Sequence, residues 1–150
     1  MTGCMFCERL ADPAGIPGGA IYEDAHLHAS HYFETAPAYL GRVLVQTKRH
    51  AAGLAELTDD EGRAFGLLSA RIARALKASA GAGKVYAYCF GEAVPHFHAF
   101  LVARYPGVPK EYWRLNLLDW PSAPRGNADA VADLAGRLRA ALHEGGPRTS

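Results

Sequence analysis

His96-Phe97-His98-Ala99-Phe100-Leu101-Val102 is the stretch on which the fold turns. Strand side chains alternate with a period of two, so an extended run here puts residues 96, 98 and 100 on one face. Two of those three are histidines. An isolated His in an apolar strand reads as a hydrogen-bonded core residue, whereas two at this spacing point to a face that carries chemistry. Residues 85–90, rich in aromatic and branched side chains, precede it across Gly91 and Pro95. The two runs read as central strands.

Working outward, Ile21-Tyr22-Glu23 and residues 26–33 alternate weakly, and Arg42-Val43-Leu44-Val45-Gln46 opens at Gly41 as a hairpin return strand would. Thr58 and Glu61 form a capping box, after which Phe65, Leu68, Ile72 and Leu76 line one helical face as far as Gly81-Ala82-Gly83. Asn127 can cap a second helix with Val131, Leu134, Leu138 and Leu142 as its buried stripe, and residues 145–150 are expected to fray. Residues 12–19 read as a surface loop. Between the last strand and the second helix, Tyr105, Tyr112, Trp113 and Trp120 alternate with prolines; this tail is expected to wrap the domain, walling a cleft or completing the core. The elements describe an α+β protein: an antiparallel sheet, a long helix packed on it and a C-terminal helix.

With 150 residues, 49% apolar and 21% charged, residues 1–150 read as one globular domain. A formal charge of +1 gives no net pull toward nucleic acid or an anionic membrane. No basic start leads into an apolar stretch of signal length and no apolar run approaches the ~20 residues of a membrane helix, so a cytoplasmic location is expected. Three cysteines, two of them in Cys4-Met5-Phe6-Cys7, suit metal or redox chemistry better than a disulfide framework. A two-residue spacing lets both thiolates reach one tetrahedral ion, with zinc the first candidate. A redox pair remains the rival, although such pairs follow a strand and start a helix, which the N-terminal position does not offer. Neutral imidazoles would complete a metal site, and His50 and His96 are both suited. His26, His28 and His31 crowd the first hairpin, but no Cys or Asp completes a second site there.

On these residues the chain resembles the histidine triad (HIT) proteins, whose hallmark strand reads His-x-His-x-His before two apolar residues. The resemblance takes in Cys4-x-x-Cys7-Glu8, the Tyr22-Glu23-Asp24 turn, Pro37 and Gly41, Lys48-Arg49-His50, the Thr-capped helix and Gly91-x-x-Val94-x-His96. It implies a HIT-like sheet and structural zinc on Cys4, Cys7, His50 and His96. It also implies His98 as the nucleophile that forms a nucleotidyl-imidazole from a nucleoside phosphate. Homodimers are common in the family.

Several positions depart from the family pattern. Phe100 stands at the third signature position, where His or Gln contacts phosphate. Glu92-Ala93 replaces Gln-Ser/Thr, and Arg42 follows Gly41 where a His is usual. Arg104 can supply compensating positive charge or be a surface residue, and Glu34 lies where an Asp often holds the ribose hydroxyls. The substrate residues expected are Glu34, Glu92, Phe100 and Arg104. The leading reading is a nucleotidyl or phosphoryl hydrolase or transferase acting on a small molecule. The alternatives are a zinc-stabilised HIT fold turned to a non-nucleotide metabolite, with Phe100 and Glu92 near His98, and a non-catalytic nucleotide-binding protein.

Overall fold

The computed structural model describes residues 3–145. Helix α1 (Met5–Ala11) is followed by strands β1 (Ala20–Glu23), β2 (Leu27–His31), β3 (Ala38–Tyr39) and β4 (Arg42–Thr47), then helix α2 (Asp59–Ala80). Strands β5 (Lys84–Tyr88), β6 (His98–Arg104) and β7 (Arg125–Gly126) and helix α3 (Ala128–Glu144) complete the order. Five strands form an antiparallel sheet in the order β1-β2-β4-β6-β5, and β3 pairs with β7 beside it. No described helix is long and apolar enough to cross a membrane.

The register sorts the sheet into two unlike faces. Gln46 lies opposite His98, Leu44 opposite Phe100 and Arg42 opposite Val102, while Tyr88 and Tyr86 flank the same residues from β5. His28 and Ser30 continue that face on β2. The other face, with Leu27, Ala29, Val43, Val45, Leu101 and Ala103, joins Leu68, Ile72 and Leu76 of α2 and Leu134 and Leu138 of α3 in one buried core. Burying each valine, leucine or isoleucine of this core contributes about 1.5–3 kcal/mol.

Local chemistry fixes the ends of the elements. Thr58 accepts the Glu61 N–H and Glu61 accepts the Thr58 N–H, closing the expected capping box, and Gly81 ends α2 in the left-handed conformation. Asn127 accepts the Ala130 N–H at the start of α3, whose stripe is buried as expected. Gly41 has φ +98°, and a Cβ there would lie 2.6 Å from the Tyr105 hydroxyl and 2.9 Å from Ala103. A side chain would therefore be strained by the backbone and blocked by the neighbouring strand.

Three sequence expectations change. Cys4 caps the short helix α1, so the Cys-x-x-Cys pair does start a helix. The ladder of β6 begins at His98, not at His96, because the chain bends through residues 94–96 and the Phe97 N–H goes to the Ala51 carbonyl. His26 precedes β2 rather than sharing a strand face with His28. The fraying expected for 145–150 lies, apart from Gly145, outside the described residues. The aromatic tail does close a core, with Leu117 and Val108 buried against Tyr39 and Val102 and with Trp113 and Trp120 beside them.

Candidate functional site

Cys4, at the N-cap of α1, and Cys7, one turn on, face His50 from the loop after β4 and His96 from the bend before β6. Their ligand atoms all lie within 4.8 Å of one another. The His96 Nδ1 is 3.5 Å from the Cys4 Sγ and 3.4 Å from the Cys7 Sγ, and the His50 Nδ1 is 3.3 Å from the Cys7 Sγ. A tetrahedron with sulfur about 2.3 Å and nitrogen about 2.0 Å from its centre has sulfur-to-nitrogen edges of about 3.5 Å, so the group matches the dimensions of a metal site. Burial and the adjacent Cys4 push the Cys7 thiol up, because two neighbouring thiolates repel unless a cation lies between them.

The supporting contacts orient these donors. The His96 Nε2 donates to the Thr47 carbonyl at 2.7 Å, which leaves Nδ1 a lone pair facing the sulfurs. Burial lowers the His96 pKa, favouring the neutral ligand form. Next to His50, Arg49 pairs with Glu61 at 2.8 Å and holds its carboxyl down to about 2, anchoring the loop to the start of α2.

His98 lies at the first position of β6 on the face away from the helices. Its Nδ1 is 2.7 Å from the His96 carbonyl. A carbonyl only accepts, so Nδ1 carries a proton, and in the neutral ring it is then Nε2 that has the lone pair. The Phe6 ring rests 4.4 Å from the imidazole and that of Phe100 5.8 Å from it, edge on. A neutral imidazole with one nitrogen pinned and the other free can act as a nucleophile or a base.

Of the remaining expected residues, Phe100 adjoins His98. Glu34 is exposed beyond Tyr32, whose hydroxyl donates to it at 3.4 Å. Glu92 is exposed in the turn 91–95 and makes no side-chain hydrogen bond among the described residues. Arg104, at the opposite end of β6, stacks on Trp113 at 4.2 Å and donates to the Tyr86 hydroxyl. Six residues of strand separate it from His98, about 20 Å of rise. His26, His28 and His31 form no candidate metal group among the described residues. Sequence reading gave Arg42 no role beyond a departure from pattern and did not weigh Tyr32. The structure sets the Arg42 guanidinium in the corner formed by the Tyr32 ring, 4.5 Å away, and the Phe100 ring, 4.2 Å away, two rings packed edge to face 5.1 Å apart. The cue available in the sequence was only an arginine opening an apolar strand run; the pairing with the strand that carries Phe100 comes from the structure.

The architecture matches solved structures over nearly its whole length. A Zn-bound histidine triad family protein from Mycobacterium smegmatis aligns with TM-score 0.69 and 24% identity, covering 95% of this chain and 94% of that one. The chain has the histidine triad fold. A Hit-like protein involved in cell-cycle regulation from Bartonella henselae, 18% identical, aligns with TM-score 0.70 over 94% of this chain and 97% of that one. A HIT family protein from Bacillus anthracis is 26% identical over 79% of this chain and 92% of its own, with TM-score 0.58. No protein-family model matches the sequence, and no curated protein does. In the histidine triad fold of this chain, the Cys2His2 group can bind a metal ion and joins the N-terminal helix to the central strands.

Proposed function

We propose that the chain is an enzyme that hydrolyses or transfers a nucleotidyl or phosphoryl group, with His98 as nucleophile. The observation that carries this reading is the Nδ1 of His98 held by the His96 carbonyl, with Nε2 left free on the open face. Nε2 attacks the phosphorus, an N–P bond forms, and the bond to the leaving group breaks as that group takes up a proton. Water or another acceptor then attacks the same phosphorus, loses its proton and releases the imidazole. Phe100 walls the site against water, and Glu34 accepts the substrate's hydroxyls. Glu92 and Arg104 would meet only parts of a substrate that reach beyond this centre.

Cys4, Cys7, His50 and His96 hold zinc in this reading. The zinc-bound relative and the edge lengths of the donor set support it. With four protein ligands the ion supplies a structural clamp rather than a reacting centre. The reading extends to a cytoplasmic homodimer, supported by β5 lying at an open edge of the sheet.

Phe100 favours a second reading, a non-nucleotide metabolite, since its ring donates nothing to a phosphate and is already engaged by Arg42. Steady-state turnover of adenosine phosphoramidate, dinucleoside polyphosphates and nucleotide sugars separates the two. The first reading expects activity that His98→Ala abolishes and Phe100→His raises. Failure of the whole panel, or turnover unchanged in His98→Ala, rejects it.

A further inference from the structure

The side chain of Arg42 has no hydrogen bond or ion pair among the described residues, and its Nε is buried without a partner. Five donors in a rigid fork are rarely left idle, because a buried donor without an acceptor is costly. The two rings meet edge to face and hold the guanidinium in their corner by cation–π attraction, while no described residue accepts from its N–H donors, so its position is fixed and its fork is left unbonded. That fork borders a cavity of about 130 Å³ lined also by Tyr32, Glu34, Thr35, Tyr39 and Arg125. Arg125 is a second guanidinium, exposed at the rim, that reaches the Leu118 carbonyl and lies 5.9 Å from the centre of the Tyr39 ring. Two guanidiniums against the one carboxylate of Glu34 leave the cavity with a net positive charge.

Sites that enclose a whole drug-sized ligand measure about 300–1,000 Å³, so this cavity takes a single group and not an entire molecule. The Phe100 ring stands between Arg42, 4.2 Å from its centre, and the His98 ring, 5.8 Å away. The cavity is therefore one aromatic ring removed from the imidazole.

We propose that Arg42, with Arg125 at the rim, is the receptor for a second oxyanion of the substrate, a carboxylate or a phosphate carried one ring-width from the bond that His98 breaks. The inference rests on the reading of His98 as the reacting group, but its anion site stands on Arg42 alone. Arg42 binds through charge-assisted hydrogen bonds from Nε and the terminal nitrogens. The substrates expected are those with two anionic centres.

The test follows the arginine Nε–Hε NMR signals of the full chain while inorganic phosphate, and separately acetate, is titrated. Saturable shifts of the Arg42 signal, identified by its loss in Arg42→Met, are expected with whichever anion the cavity accepts. Read on the Arg125 Nε–Hε signal, which both variants keep, Arg42→Met should weaken binding about tenfold or more and Arg42→Lys by less, since the charge survives but the fork does not. Arg125→Met should weaken it only severalfold, and His98→Ala should leave it unchanged. Absence of a saturable Arg42 shift, or equal binding by Arg42→Met with its thermal unfolding intact, overturns the proposal. Binding is read without turnover, so phosphate binding in a protein that turns over no substrate rejects the role of His98 and keeps the site. Turnover with an Arg42 signal that ignores both anions does the reverse.

Discussion

The two faces of the central sheet are built for different ends. Under the helices, Val43, Val45, Leu101 and Ala103 meet Ile72, Leu76 and Leu138 in one cluster of buried apolar side chains. On the opposite face, His98, Gln46, Arg42 and Tyr88 share the surface with Phe100, and polar atoms of His28, Gln46, Arg9 and Arg42 are buried without partners among the described residues, as is the Ser69 hydroxyl on α2. A domain needs one face to bury apolar area. Relieved of that duty, the other face can tolerate the unsatisfied donors and acceptors that binding requires. The Cys2His2 group lies beside this face, where α1, with Phe6 packed on Leu44, meets the segments after β4 and before β6.

The largest effect expected is removal of metal. A chelator, or Cys4→Ser, should cost several kcal/mol of stability. Hydrogen exchange should rise in α1 and in residues 48–51 and 94–97 well before it rises in α2 or α3. Equal loosening of both faces would erase the distinction drawn between them. The next largest is Ile72→Ala beneath the sealed face, expected to cost about 2–5 kcal/mol in denaturant unfolding, whereas His98→Ala should be near neutral by the same measurement. A costly His98→Ala would make the open face a second core.

His31 sharpens the comparison through pH. It is fully buried, its Nδ1 donates to the Tyr32 carbonyl and its Nε2 accepts the Gly41 N–H, and burial lowers its pKa to about 4. The unfolded chain, with an ordinary value near 6.5, binds the extra proton first. The contribution of His31 is therefore complete above about pH 6.5 and is lost as pH falls toward about 4, some 3 kcal/mol in all. Unfolding free energies of the parent and His31→Gln, compared at each pH, should converge by that amount in this window; parallel profiles would contradict it. The smallest effect is Thr58→Ala, expected to cost about 1 kcal/mol through the lost cap, with zinc content unchanged.

Much of this was legible in the sequence because the signals were local. Thr58 with Glu61, the 3.6-residue stripes of both long helices and the caps need no knowledge of distant neighbours, and each is found as expected. The four members of the group that could hold a metal came from spacing together with family resemblance, and the structure brings them together. What stayed hidden depends on register and on chain bends. That Arg42 reaches Phe100 follows from a cross-strand pairing no local pattern states. The His96 carbonyl finds His98 because the chain turns just before the strand, and Arg104 points into the Trp113 ring for reasons set by the aromatic tail.

The most direct test of the account is intact-mass spectrometry of the purified chain after incubation with adenosine phosphoramidate, a dinucleoside polyphosphate and nucleotide sugars. The account predicts a transient adduct with the mass of one nucleotidyl group, present in the parent and absent in His98→Ala. An adduct that persists in His98→Ala, or product formed with none detectable on any time scale sampled, would contradict the assignment of His98 as nucleophile.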